Sequence, residues 1–146
     1  MNSITFEMDA SKLLAAFDAV TEAIRLPTLE ACRVTAENIA REARARVARR
    51  GPNPTRAQQG RPPLEDLIRV EPMVGRAAVV GYVVIVQEPV LDNSGAELLP
   101  FYLEFGTKEM AKRAFFFAPA ALEKEPHRRR LQEAQQAGIE AVGLGA

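Results

Sequence analysis

Two neighbouring segments decide the fold of this chain: Leu99-Pro100-Phe101-Tyr102-Leu103-Glu104-Phe105-Gly106-Thr107 and Arg113-Ala114-Phe115-Phe116-Phe117-Ala118-Pro119. Together they hold five of the seven phenylalanines and one of the two tyrosines. Aromatic side chains bury large apolar areas, so this aromatic block (residues 99–119) is expected to pin two chain segments around one small core. These residue types favour an anchor over a catalyst.

The composition describes a single domain over residues 1–146, long enough to bury a core without disulfides or metals. Lys+Arg and Asp+Glu both number 19, so no overall field attracts nucleic acid or a membrane. The single Cys32 fits a reducing compartment and is expected to be a buried thiol. No apolar run is long enough for a membrane span, and the first residues lack signal-peptide features. The chain is therefore expected to be made in the cytoplasm and to bind no membrane.

The first third of the chain predicts a strand followed by two helices. Apolar and polar residues alternate over 4–8, which is typical of a strand. Asp9 or Ser11 can cap a first helix, whose apolar stripe is Leu13, Leu14, Phe17, Val20 and Ile24. Pro27 is expected to break this helix, and Thr28 to cap a second one with apolar residues on one face as far as Val47.

The remainder predicts a small sheet and a C-terminal helix. Four prolines and two glycines predict a long irregular loop over 51–63. Residues 64–70 are expected to pass from a helical turn into a strand, and 77–86 to form a β-branched strand. Residues 97–105 are expected to form a short helix closed by Gly106. A helix from 118 is interrupted at Pro126, a final helix spans 127–142, and 143–146 fray. The predicted fold class is α+β, with a small antiparallel sheet packed against two N-terminal helices and a C-terminal helix.

Catalytic, metal and cofactor-binding residues are not predicted. One histidine and one cysteine do not suffice for a zinc site of the usual type, and no phosphate-binding or nucleophile motif is present. His127 is expected to be a solvated residue at a helix start. Glu104 is the acid of interest, because it can cap backbone amides or pair with an arginine. The sequence therefore predicts no enzyme.

The charges balance overall but are segregated along the chain. Residues 41–61 hold seven arginines and one acid, whereas residues 88–109 hold five acids and one lysine. One interpretation is that the basic segment of one subunit meets the acidic segment of the next, which can close a ring. A second is that the arginines face DNA phosphates, and a third is that both segments are solvated faces.

The aromatic block resembles the tail-component family of lambda-like siphophages. The similarity rests on the run Pro100–Thr107, with its Glu-Phe-Gly-Thr turn, followed by Met110, Arg113, the phenylalanines and Pro119-Ala120. The rest of the chain matches in layout, including Leu64–Val70 and a valine-rich strand. Two departures are Ala114, where the family has proline, and a 51–63 loop that is longer and richer in proline.

The resemblance implies a structural virion protein without catalysis, located at the head–tail interface of the neck or tail. It would form a homo-oligomeric ring, with a hexamer expected and a dodecamer as the alternative, for tail completion or head–tail joining in a siphophage or a gene transfer agent. Its partners would be head-closure (stopper) proteins and the tail terminator or tail tube. DNA would pass through the channel without sequence-specific binding.

Two other functions stay open: a tail terminator ring that caps the tail tube, and a small nucleic-acid-binding regulator that uses the Arg41–Arg61 segment. An exposed first strand could also pair with the sheet edge of a neighbour. The predicted subunit and partner interface comprises Arg41, Arg44, Arg49, Arg50, Arg56, Arg61, Tyr102, Glu104, Phe105, Gly106, Thr107, Arg113, Phe115, Phe116 and Phe117.

Overall fold

A computed structural model describes residues 10–49, 54–87, 99–106, 108 and 114–143. In chain order these residues form α1 (Ala10–Ala48), α2 (Pro54–Gln58), a 3-10 turn (Leu64–Leu67), β1 (Ile68–Val74), β2 (Val79–Val86), α3 (Leu99–Phe105) and α4 (Phe117–Ala141). The α+β class is confirmed. The predicted strand over 4–8 and the fraying end at 144–146 lie outside the described residues.

The N-terminal region forms one helix of 39 residues, where two helices were predicted. Pro27 lies inside α1, although a proline removes the hydrogen bond to the carbonyl four residues earlier, here that of Ala23. Residues on both sides of Pro27 pack against α4, and this tertiary packing holds the helix continuous. The predicted break was therefore wrong, because a local signal does not report the neighbouring helix.

The turn at Ala23 and Ile24 is also where α4 comes closest to α1. Gly138 of α4 is buried, and a Cβ atom there would lie 2.7 Å from Ile24 Cγ1 and 2.9 Å from the Ala23 carbonyl oxygen. The carbonyl that Pro27 leaves without its helical partner thus faces the one α4 position without a side chain. The two helices meet closely because of this pair of residues.

Gly138→Ala is therefore expected to destabilise the fold, although the same change in an exposed helix would stabilise it by about 1 kcal/mol. The added methyl group meets backbone atoms that cannot rotate away, and such overpacking costs about 1–3 kcal/mol. Urea unfolding followed by circular dichroism measures the difference. Ala137→Gly, one residue away on the exposed side, is the matched control for helix propensity. A gain in stability for Gly138→Ala would contradict this packing.

β1 and β2 form a two-stranded antiparallel sheet in which Ile68 pairs with Val86 and Met73 with Gly81. The predicted positions of both strands, and of the helical turn before β1, are confirmed. Ile68, Val70, Val84 and Val86 face the core, whereas Met73 and Val83 are exposed on the other face. The sheet is covered on its inner face by the C-terminal half of α1.

The core lies where α1, β1, α3 and the start of α4 meet. Small α1 residues let the other elements approach closely. The buried cluster comprises Ala40, Ala43, Val47, Leu64, Leu67, Ile68, Leu103 and Phe115. Leu103 and Phe115 come from the two halves of the aromatic block, so the prediction that this block joins two segments around a small core is confirmed.

Two further predictions about helix-breaking prolines were wrong. α4 continues through Pro126, where an interruption was predicted. Within the proline-rich 51–63 segment, Pro54–Gln58 forms a short helix. Proline is tolerated in a first helical turn, where its missing N–H has no helical partner in any case, so Pro54 can begin α2.

Candidate interaction surface at the aromatic block

The carboxylate of Glu104 joins the two halves of the aromatic block. Glu104 is 4% exposed, and its carboxylate accepts three backbone hydrogen bonds. The Phe115 and Phe116 amides donate to Oε2 at 2.8 and 2.9 Å, and the Phe117 amide donates to Oε1 at 3.1 Å. Of the two alternatives from sequence, capping of backbone amides is the one that the structure shows.

These amides belong to the N-terminus of α4, which begins at Phe117 after Phe116 as N-cap. The Phe116 side chain cannot accept a hydrogen bond, and the carboxylate that satisfies the free amides comes from α3 instead. A negative charge at this position also interacts favourably with the helix dipole. Glu104 therefore has a structural task, which fixes the start of α4 relative to α3.

The backbone held by Glu104 turns the three consecutive phenylalanines in different directions. Phe115 is 1% exposed and lies in the core, Phe116 is half-buried against it, and Phe117 is 55% exposed. Phe117 contacts Phe105 with ring centroids 5.8 Å apart, and Phe105 is also exposed. Because three consecutive side chains cannot all face one way, the sequence predicts that one or two of these rings enter the core and at least one is exposed, and the structure confirms this.

A shallow groove of about 170 Å³ lies beside this exposed pair. Its walls are Val86, Pro100, Glu104, Phe105, Phe115, Phe116 and Phe117. All of these lining residues except Glu104 are apolar, so the groove is suited to receive an apolar side chain. The groove and the two exposed rings form the candidate interaction surface.

Other predicted site residues of the block are placed only in part. Gly106 follows α3 with φ of 79°, a left-handed conformation that favours glycine, so its predicted role in closing the helix is confirmed. Tyr102 lies within α3, but its side chain is outside what the structure describes. Thr107 and Arg113 also lie outside the described residues.

Two of the predicted interface arginines point inward. Arg56 is buried, and its Nε and Nη2 atoms donate to the Pro62 carbonyl. Arg61 is buried as well, and its backbone amide donates to the Arg56 carbonyl. In this chain they hold the 54–62 segment in its folded shape.

The remaining arginines of the basic segment have local partners on α1 and β1. Arg44 donates to the Ile68 carbonyl and ties α1 to the start of β1. Arg41 donates to Asn38, and Arg49 lies 3.5 Å from Glu42. Arg50 lies outside the described residues. The structure therefore does not gather the predicted arginines on one exposed face.

A polar cluster between α1 and α4 was missed from sequence. His127 Nδ1 lies 2.9 Å from the hydroxyl of the buried Thr35, and Arg130 donates both to that hydroxyl and to Glu123. His127 is half-buried, so the expectation of a solvated residue was wrong. No local signal could have found this contact, because its partners are 92 residues apart in sequence.

Other features of the described residues do not form a chemical site. A second cleft of about 460 Å³ is lined by two arginines and two acids, Arg44, Arg69, Glu65 and Asp66, among others. On α1, the hydrogen bond from Arg33 lowers the pKa of the exposed Glu30. Cys32 is half-buried, where a buried thiol was expected.

The described residues contain no His, Cys, Asp or Glu group arranged to hold a metal. Among these residues, no helix combines the length and apolarity needed to cross a bilayer.

Comparison with protein-family models, with curated proteins and with solved structures finds no match to this chain.

Proposed function

We propose that this chain is a structural protein of a tailed phage or a phage-derived particle, and that its copies form a ring at the head–tail junction. The resemblance of residues 100–123 to siphophage tail components motivates this role. The observation that supports it most is the set of hydrogen bonds that the Glu104 carboxylate accepts from the backbone amides of Phe115, Phe116 and Phe117. It makes the two segments that carry the resemblance a single structural unit.

The properties of this unit support assembly. The only acid that the sequence singled out is committed to backbone amides, so Glu104 is not free for proton transfer. The unit exposes Phe105 and Phe117 side by side, and exposed aromatic residues next to a groove are typical of binding hot spots. In the proposed particle these residues would contact another copy, a head-closure protein, or the tail terminator or tail tube.

The nucleic-acid-binding alternative is less well supported. It depends on the arginines between 41 and 61 acting together, but Arg56 and Arg61 are buried and Arg44 is bound to the Ile68 carbonyl. The tail terminator alternative uses the same aromatic unit and differs only in which ring the chain forms.

Electron microscopy of the purified chain, with its mass from light scattering, tests the proposal. We expect closed rings, and antibody labelling of intact particles should place the chain at the portal-proximal end of the tail. A chain that stays monomeric at every accessible concentration, or that is found only apart from particles, contradicts the proposed function. Salt-dependent binding to random duplex DNA by a monomer would favour the nucleic-acid-binding alternative.

A further inference from the structure

The N-terminal part of α1 extends beyond the end of α4. The two helices run antiparallel, since Thr35 contacts His127 and Arg130 while Gly138 lies against Ala23 and Ile24. α4 ends at Ala141, one turn after Gly138, which corresponds to about Val20 on α1. Residues before Val20 therefore project past α4, and those whose side chains are described are exposed.

This projecting end exposes an apolar face. Leu14 is 64% and Phe17 is 61% exposed, although the sequence pattern placed both on the apolar stripe of a helix. Phe17 and Asp18 follow Leu14 by three and four residues, and Thr21 follows them by four and three, so all four share one side of the helix. These four exposed residues are called the α1 stripe. The apolar pattern is present, but α4 does not cover it.

A second exposed face begins at the candidate interaction surface. Phe117, Ala121 and Lys124 follow one side of α4 at spacings of four and three residues, and all are exposed. These three residues are called the α4 stripe. The ring of Phe105 and the adjacent groove widen its apolar end.

The two stripes are complementary in charge. Asp18 ends the apolar part of the α1 stripe and Lys124 that of the α4 stripe. Neighbouring charges are already paired, Glu22 with Arg25 and Glu125 with Arg128. Within the part of the chain that the structure describes, Asp18 and Lys124 form no such pair. Asp18 directly follows Phe17, and Lys124 lies two helical turns after Phe117 on the same side of α4, so each stripe carries an exposed phenylalanine and one charge of opposite sign to the other.

A single chain cannot bring the stripes together. They lie at opposite ends of the rigid helix α4, which at 25 residues is about 37 Å long. We propose that the α1 stripe of one copy packs on the α4 stripe and groove of the next copy, with Phe17 against Phe117 and Asp18 near Lys124. This contact joins two different surfaces, so it can repeat head to tail, and it closes into a ring when the rotation between successive copies allows closure. The inference rests on the proposed function and specifies its subunit contact.

Paired substitutions with matched controls test this contact. Phe17→Ser and Phe117→Ser should each weaken self-association at least tenfold in sedimentation equilibrium, since each removes a central aromatic residue. Leu26→Ser on the opposite side of α1 and Leu122→Ser elsewhere on α4 are equally exposed, and each should change self-association less than twofold. Circular dichroism should show an unchanged fold in all four variants, because the replaced side chains are exposed. Equal effects of test and control variants would overturn the contact.

A mixing experiment tests the head-to-tail arrangement. Phe17→Ser keeps an intact α4 stripe and Phe117→Ser keeps an intact α1 stripe. A mixture of the two should therefore form dimers at concentrations at which each variant alone stays monomeric, and it should not form rings. A mixture that stays monomeric, or one that restores full rings, would overturn the proposed contact.

Charge exchange tests the proposed ion pair. Asp18→Lys and Lys124→Asp should each weaken association by roughly two- to fivefold, because surface ion pairs contribute little individually. The chain that carries both substitutions should recover association, since the exchanged charges again attract each other across adjacent copies. Additive losses in the double variant would overturn this pairing.

The outcomes for the contact and for the proposed function can be separated. Rings that persist in Phe17→Ser and Phe117→Ser overturn the contact and leave the proposed ring function standing. A native chain that associates only to a dimer overturns the head-to-tail repeat and the proposed ring together, because a two-fold dimer makes the α1–α4 contact reciprocally and leaves no stripe for a third copy. A native chain that never associates contradicts both.

Discussion

Glu104→Ala is expected to lower the free energy of unfolding by about 2–4 kcal/mol, the sum of a lost helix cap and a buried amide without a partner. The Glu104 carboxylate accepts hydrogen bonds from three backbone amides, and the amide of Phe115 is buried. Alanine supplies no acceptor, so the buried Phe115 amide loses its hydrogen-bond partner. Urea unfolding followed by circular dichroism measures the loss.

Two further variants separate the charge from the hydrogen bonds. Glu104→Gln retains one acceptor oxygen and is expected to lose about half as much stability as Glu104→Ala, since hydrogen bonds to charged groups are the stronger ones. Glu133→Ala removes an exposed acid elsewhere on α4 and should change stability by no more than about 0.5 kcal/mol. A loss below about 1 kcal/mol for Glu104→Ala would show that the carboxylate does not hold α4 in place.

Phe115→Ala is expected to cost about 3–5 kcal/mol, because it removes a fully buried ring from the centre of the core. Phe115 packs with Ala43, Leu67 and Leu103, residues of three different elements, and no one element can move alone to fill the cavity. The same unfolding measurement applies.

Phe117→Ala is the matched control two residues away. Its ring is largely exposed, so the loss should be about 1 kcal/mol, mostly from its contacts with Phe105 and Phe116. If Phe115→Ala does not fold, Phe115→Leu keeps most of the volume and should cost about 1–2 kcal/mol. Equal losses for Phe115→Ala and Phe117→Ala, or a Phe115→Leu variant as stable as the native chain, would contradict the core placement of Phe115.

Patterns that depend on nearby residues predicted much of the fold. The β-branched residues of β2, the turn before β1 and the glycine that closes α3 were found because each is specified within a few positions. Orientation within the phenylalanine run followed from the same kind of argument, since consecutive residues cannot all face one side.

The helix breaks predicted at Pro27 and Pro126 were wrong because packing between segments distant in sequence decides whether each helix continues. Pro27 and Pro126 each cost about 3 kcal/mol in a helix interior. The contact of α1 with α4 outweighs that cost, and Gly138 shows how closely the helices fit at the first of them. The sequence indicates the cost of each proline but not the helix surface that packs against it.

For the candidate interaction surface, the sequence predicted alternatives and did not decide between them. Glu104 was named as an acid that could cap amides or meet an arginine, and the choice depended on residues 11 to 13 positions later. His127 and Thr35 illustrate the same limit over a longer range. The exposure of Phe17 could not be anticipated either, because its apolar stripe looks the same whether or not a second helix covers it.

The carboxylate contact between Glu104 and Phe115 also closes a loop in the chain. Its two ends are fixed by side chain and backbone, whatever sequence lies between them. Because the entropic cost of closing a loop rises only slowly with its length, joining residues 11 positions apart costs the chain little more than a local helix cap would.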